Sequence, residues 1–576
     1  MSHTPHYDAK IKTILDASKP GERICSLSQK SWTWTQEERS LCQQFHVPPS
    51  SVDPFLRMKY LLGFGTGVSI WWNKHAYTGQ PLLSYIHPDN PLTVISDKEW
   101  SNSDFRQDEE IRTDQPFFDQ MWKLAQTIPS GAMLDDGTNI NCLSVDAIHS
   151  RDCFMVFGGF SNTDLTYAAV SFEDEQCVDI VNTANSRRCF STNHIQRCYA
   201  CHDCFETNDC LSSGFLFDCH NCEYCFGATN KRHKKYLWFN EQLSKEEWET
   251  RRKTLDLSSY RLYKSYQQRF FTLVRDQAVW PSFFHMGSEQ STGEYLMRCV
   301  RAQESFWLVD CQDVFRCWSS GNLSQCAFVT WSGKGEGSYM TCNGMYIHGL
   351  KYCLQCWRSS DLEYCFNCHE CEYCFGCVGL MKKQYCIFNK QYSEEAYWQK
   401  VDELKCAMLD RGEYGEFFPA CFSQPGFCFS LGQVFLGYSE QELKTFHAPL
   451  FDPAKGNVFA PQQIDASHAL TTLQIPDVLK EAKNFVGKPI FDPMINRPYS
   501  VLPKEYAFYE EYGLPFPQEH FLSRLQSLIR TSNTPHPEQS ICAQCCKEIS
   551  IYTNQIFEDR RILCQVCYLS YLEKNG

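Results

Sequence analysis

In the stretch CFNCHECEYCFGCVGLMKKQYC, residues 365–386, the cysteines Cys365, Cys368, Cys371, Cys374, Cys377 and Cys386 all stand multiples of three apart. The same phase runs back through Cys356, Cys353, Cys326, Cys317, Cys311 and Cys299, and only Cys342 leaves it. A second block keeps its own phase of three through Cys153, Cys177, Cys189, Cys198, Cys201, Cys204, Cys210, Cys219, Cys222 and Cys225. The other residues in phase are small or apolar, such as Val156, Ala168, Ile180, Thr192, Ala302, Val314, Ser332 and Leu350, with Asp174 the one charge in the first block. The remaining phases carry most of the aromatics and charges. A strict period of three is neither the 3.6 of a helix nor the 2 of an isolated strand. It fits a chain that turns every few residues and points one residue in three into a narrow interior.

Separations of 12 recur, as from Cys177 to Cys189, Cys198 to Cys210 to Cys222, and Cys353 to Cys365 to Cys377. Each block therefore reads as a β-solenoid of 12-residue coils, with coils of 18 or 24 also in phase and roomier for Phe215 and Phe217. Stacked coils need caps. Ser244 with Glu247, and Ser393 before Glu394 and Glu395, mark capping helices after each block. The two solenoids read as copies, because Cys219, Cys222, Cys225, Phe226, Gly227 and Tyr236 recur 149 residues on as Cys368, Cys371, Cys374, Phe375, Gly376 and Tyr385. The ends of the chain also correspond, residues 21–49 to 487–517, as a glycine turn, an aromatic-bearing helix and a proline exit.

The expected fold is thus mostly β with helical caps. Residues 1–130 form an N-terminal degenerate zinc-ribbon-like module and 131–260 the first β-solenoid with its capping helix. A connector, 261–293, leads to the second solenoid and its capping helix, 294–410. A further connector, 411–484, leads to the C-terminal zinc-ribbon module, 485–576.

The composition sets the outer bounds. The chain has 576 residues, enough for several domains at about 100 to 200 residues each. It is 43% hydrophobic and 21% charged, which excludes a disordered chain, and its net charge of −14 disfavours a polyanion binder. The first 20 residues lack the run of about 7 to 15 apolar residues of a signal peptide, and no stretch is long and apolar enough to span a bilayer. A cytoplasmic location is expected, where most of the 34 cysteines stay free.

Cys542-x2-Cys545 and Cys564-x2-Cys567 have the spacing of a zinc ribbon: two turns presenting four thiolates to one structural Zn²⁺ at about 2.3 Å, a closed set with no open position for catalysis. Cys546 is a bystander. The N-terminal counterpart, Trp72 to Trp100, has Ser96 and Glu99 at the positions of the second pair. His75 and His87 are read there as core or surface histidines that bind no metal.

Segments such as CFNCHECEYCFGCVGLMKKQYCIFNKQYSEEAYW (365–398), QPFFDQMWKLAQTIP (115–129), EYGEFFP (413–419) and the terminal CAQCCKEI…RRILCQVCY resemble the cysteine-rich zinc-ribbon proteins common in candidate-phyla-radiation bacteria, over most of the chain. The resemblance implies this architecture and a bacterial cytosolic setting. That family has no established activity, so it implies no mechanism. Its members carry several intact ribbons with arginine-rich helices. Here the N-terminal ribbon lacks its thiols, and His520 to Arg530 holds only Arg524 and Arg530.

Three functions are compatible with these features. The first is a non-enzymatic structural and interaction scaffold with protein partners, on which Trp307, Trp318, Trp331, Trp357 and Tyr364 stand outside the inward phase and form either a binding surface or internal packing. The second is RNA or ribosome binding through Arg560 and Arg561, disfavoured because residues 487–576 hold nine Lys or Arg against ten Asp or Glu. The third is a thiol-based metal store or redox protein using the ladders, disfavoured because buried thiols are poor ligands. No P-loop, HExxH, GxSxG or strand-following GxGxxG motif is present, and GFGTG (63–67) reads as a turn. No catalytic residue is assigned.

Overall fold

A computed structural model describes residues 2–458 and 470–576. Strand accounts for 34% of the chain and helix for 26%, and the chain divides into two compact units, each assembled from two segments. One joins residues 1–133 to 284–456, and the other joins 134–283 to 457–576.

Each unit holds a large parallel sheet whose strands follow one another in sequence order. In the second unit, Phe154–Phe160, Thr166–Phe172, Val178–Ala184, Phe190–Gln196, His202–Asn208, Gly214–Phe217 and Phe226–Thr229 pair with a constant step of 12 (Val156↔Ala168↔Ile180↔Thr192). Isolated bridges take the same step, from Arg151 to Thr163 and on through Glu175, Arg187, Tyr199, Leu211 and Glu223 to Lys235. The first unit repeats the pattern, as in Val329↔Thr341↔Cys353. The step is therefore 12, not 18 or 24, apart from an 11-residue first step in each ladder (Leu143↔Phe154 and His285↔Leu296).

Backbone geometry explains the period of three. Every third residue from Asp146 to Tyr236, and from Tyr295 to Phe388, is left-handed, with φ near +55°. Such a residue bends the chain, so four triplets fill each 12-residue step. Left-handed backbone favours Gly, Asn and Asp. Nearly half of these positions between Asp146 and Asn230 carry one of the three.

Two N–H groups of each triplet join the backbone of neighbouring steps, as in Phe154 N–H to Leu165 O (2.9 Å) and Asp164 N–H to Arg151 O (2.9 Å). The third belongs to the inward residue, and where the inward residue one step earlier carries an oxygen or sulfur, that side chain can receive it. In one column Ser150 N–H donates to Asn139 Oδ1 (2.9 Å), Asn162 to Ser150 Oγ (3.3 Å), Asp174 to Asn162 Oδ1 (3.1 Å), Ser186 to Asp174 Oδ1 (2.8 Å) and Cys198 to Ser186 Oγ (3.3 Å). Sulfur takes the same role: Cys189 N–H donates to Cys177 Sγ (3.3 Å) and Cys222 N–H to Cys210 Sγ (3.4 Å). The thiols in turn donate to carbonyls, as Cys198 Sγ does to Gln196 O (3.4 Å) and Thr207 O (3.6 Å). Burial pushes Cys204 up to about 11 and Cys326 up to about 12, so these two thiols stay protonated and able to donate. The interior thus takes small or apolar side chains, and in the column from Asn139 to Cys198 it calls for ones able to hydrogen-bond.

Outward aromatics lie beneath helices. Phe215 and Phe217 point away from the interior and are fully buried, against Phe270 (5.8 Å between ring centres) and Trp280 (4.3 Å). Phe270 belongs to the helix Tyr260–Gln277, which occupies the span expected to be a connector. In the first unit Trp318, Trp357 and Tyr364 are buried and Trp307 and Trp331 half-buried. Tyr364 stacks on Tyr352 and packs on Phe117 of the helix Phe117–Thr127, so internal packing accounts for the buried rings Trp318, Trp357 and Tyr364. Ser244 forms the expected capping box with Glu247 at Lys245–Lys253. Ser393 caps Glu394–Asp410 through Ala396 N–H. In GFGTG, Gly67 lets the backbone meet the Phe429 carbonyl, where a Cβ would lie 1.9 Å from the oxygen. Residues 411–456 pack within the first unit, and part of the expected connector 411–484 lies outside the described residues. Among the described residues no helix is long and apolar enough to cross a membrane.

Ser359 Oγ accepts Cys371 N–H (3.1 Å) and donates to Trp357 O (2.9 Å). Ser359→Cys should leave urea-unfolding stability nearly unchanged, whereas Ser359→Ala should lose about 1 to 3 kcal/mol by orphaning a buried N–H. Asp174, raised to about 7 by burial, keeps its proton in the folded state while the unfolded chain ionises near 4. Its contribution to stability is complete below pH 4 and lost as pH rises to 7. Asp174→Asn should match the wild type at pH 4 and exceed it at pH 8, by up to about 4 kcal/mol, in parallel thermal unfolding series.

Candidate metal centre

The strands Asn533–Ile541 and Glu548–Asn554 form an antiparallel hairpin joined by the turn Cys542 to Lys547. Cys542 N–H donates to Lys547 O (2.9 Å) and Cys546 N–H to Cys542 O (3.0 Å), which holds Cys546 left-handed at φ 58°. Cys546 is thus the bend of the turn, exposed and outside the thiol cluster. The second pair comes from Cys564, the N-cap of the helix Gln565–Asn575, and from Cys567 in its first turn. Ala543 N–H donates to Ile562 O (2.9 Å), drawing the turn against the strand Arg561–Leu563, which itself pairs with Val279–Pro281.

The sulfurs of Cys542, Cys545, Cys564 and Cys567 all lie within 4.8 Å of one another. A tetrahedral ion bound by thiolates at about 2.3 Å has sulfur–sulfur edges of about 3.8 Å. Cys545 Sγ and Cys564 Sγ stand 3.8 Å apart, so the set has the size such an ion requires. Burial acts to raise Cys542, but backbone N–H groups of Cys545, Cys564 and Gln544 outweigh it and bring the thiol down to about 6. The turn therefore presents a thiolate near neutral pH. Among the described residues this is the only such group of three or more metal-ligating side chains, and the ladder cysteines form none.

The site is tied to the ladder of its own unit. Tyr568 OH donates to Asp218 Oδ2, and Arg232 reaches both Asp218 Oδ1 (2.8 Å) and Tyr568 OH (3.0 Å). Arg560, considered above for RNA, donates to Phe557 O (3.0 Å) and Tyr552 O and lies 5.3 Å over the Trp280 ring.

The first unit contains the same turn with different chemistry. His75 N–H donates to Gln80 O (2.9 Å), Gly79 N–H to His75 O (2.9 Å), and Gly79 is left-handed. His75 Nε2 contacts Glu99 Oε2 (2.7 Å), Ser96 Oγ donates to the same oxygen (2.5 Å), and Tyr77 and Thr78 N–H reach His75 Nδ1 (both 3.3 Å). Hydrogen bonds thus join the positions that thiols hold in the other unit. His87 is fully buried, stacked 4.8 Å from Phe451, with Nε2 at Asp452 O (2.9 Å).

Sequence reasoning missed a buried ion pair in each unit: Arg57 Nη2 to Glu38 Oε1 (2.8 Å) and Arg524 Nη2 to Glu505 Oε1 (3.1 Å), each 19 residues apart. The shared Glu–Arg spacing was the available signal. Compared with known proteins, the chain matches no family model and no curated protein.

Cys545→Ser should lower metal retained after gel filtration from one equivalent to well below one. Cys546→Gly should retain the metal and unfold at the same or a slightly higher temperature, since glycine suits a left-handed bend.

Proposed function

We propose that the protein is a non-enzymatic interaction scaffold in which a zinc ribbon, holding one structural Zn²⁺ on Cys542, Cys545, Cys564 and Cys567, is mounted on one of two duplicated β-solenoids. The observation that carries this reading is the closed thiol set, which leaves no position open for a substrate. The constant 12-residue register supports the solenoid. Its duplication is supported by the 149-residue recurrence, the paired Glu38–Arg57 and Glu505–Arg524 bridges, and the shared turn geometry of the two terminal modules. The zinc-ribbon family resemblance belongs to the same proposal, as does a cytoplasmic setting.

Protein is the favoured partner. Ile541, Val566 and Leu569 stand 61%, 78% and 57% exposed, the first at the end of the strand that leads into the turn and the others on the helix that carries Cys567. Large exposed apolar side chains on the elements that flank a metal-braced turn suit protein contact. RNA binding draws less support, because Arg560 is already engaged with backbone carbonyls.

Elemental analysis of the native protein should give one zinc per chain and no other metal above background. Val566→Glu should keep that zinc but lose captured proteins in cross-linking pull-downs. Complexes that vanish on nuclease treatment, or several metal equivalents per chain, would replace this reading.

A further inference from the structure

The second unit contains a recess that the scaffold reading does not use. It is a half-open cavity of 330 Å³ between the ladder, the helix Lys245–Lys253 and the end of the helix Pro503–Tyr512. Its size is at the lower end of small-molecule sites, about 300 to 1,000 Å³. Phe190, Phe226, Trp248 and Phe508 supply aromatic walls, and Arg252 and His202 supply polar groups.

Two donors there lack a normal partner. Trp248 is buried, and its Nε1–H meets no acceptor. The Arg252 guanidinium has one hydrogen bond, at 3.5 Å to Leu255 O, and no carboxylate among the described residues reaches it. Burial lowers its pKa, so the site holds a cation at some cost in desolvation. His202 engages Asp203 through Nδ1 (3.0 Å), while its Nε2 edge lies over Gly214, where a Cβ would come within 2.2 Å. Glycine at 214 therefore makes room for the His202 ring, which forms part of the floor of the recess.

The other unit shows what such a place accepts. Glu363, 149 residues after Gly214, takes Tyr414 OH (2.6 Å) and Lys405 Nζ (2.9 Å), and the Lys405 ammonium lies 4.0 Å over the ring of Tyr7. Tyr7, from the helix Pro5–Ala17, is itself buried and 5.0 Å from Tyr414. There the chain supplies its own aromatic rings and its own carboxylate. In the second unit the position of the carboxylate is a glycine, and the recess stays open.

We propose that this recess is a binding site for a small planar aromatic acid, its ring held among Phe226, Trp248 and Phe508 and its carboxylate on Arg252. Unpartnered donors are satisfied by an anion, and an arginine binds a carboxylate more strongly than a neutral group. This inference is independent of the zinc site and of the protein partner.

Isothermal titration of the full-length, zinc-loaded protein with indole-3-acetate, and with the neutral indole-3-acetamide, tests it. The acid should bind with one site per chain and the amide about tenfold or more weaker. Arg252→Gln should erase that preference, and Trp248→Phe, which keeps the wall but removes the N–H, should weaken the acid severalfold. Circular dichroism and zinc content identify a variant that fails to fold, and Trp248→Phe then decides alone. No heat up to millimolar ligand, equal affinity for acid and amide, or unchanged binding in the folded variants would overturn the proposal.

Discussion

The fold rests on hydrogen bonds that carry inward N–H groups to polar side chains one step behind them. A chain that bends left-handed at every third residue cannot place all its amides in a sheet ladder, because one of the three points to the interior. Water has no room there. An unpaired buried amide costs about 1 to 3 kcal/mol, so dozens of them would exceed the stability of any domain. Serine, cysteine, asparagine and aspartate in the column from Asn139 to Cys198 meet this demand. Cysteine suits it well because the thiol packs as a small apolar group while still accepting and donating weakly. The wealth of thiols is thus a backbone requirement written in side chains.

That requirement explains which parts of the structure could be read from the residues. Period three, the 12-residue recurrence, the Ser244 cap and the two CxxC pairs are local patterns whose chemistry depends on spacing along the chain, and they are visible at Cys365 to Cys386 and Cys542 to Cys567. The burial of Trp318 and Tyr364 was not visible, because the helix that covers Tyr364 comes from near residue 117. The left-handed positions were legible in principle, through their Asp, Asn and Gly content, but Phe215, Tyr167 and Trp307 adopt the same backbone and obscure the pattern. The grouping of each terminal module with the more distant ladder was hidden, since it joins segments more than a hundred residues apart.

The two terminal modules show how one backbone turn can serve different chemistry. At Cys542 to Lys547 and at His75 to Gln80 the same pair of backbone hydrogen bonds closes the turn. One turn presents thiols of the size to hold an ion; the other fastens a histidine to a glutamate and a serine. A metal ion binds four groups at once, whereas the hydrogen-bonded set links only neighbours. The second arrangement therefore depends more on surrounding packing, which His87 between Trp71 and Phe451 helps to provide.

The four triplets per step also make the ladders sensitive to length in a particular way. Loss of a single residue would turn every later inward side chain toward the surface and bring a charged or bulky one into the interior. Loss of three would preserve the inward phase but rotate all later steps by a quarter turn, parting the aromatic columns from the helices that cover them. Only a change of 12 leaves both in place, so these ladders can lengthen or shorten by whole steps and tolerate little else between their ends.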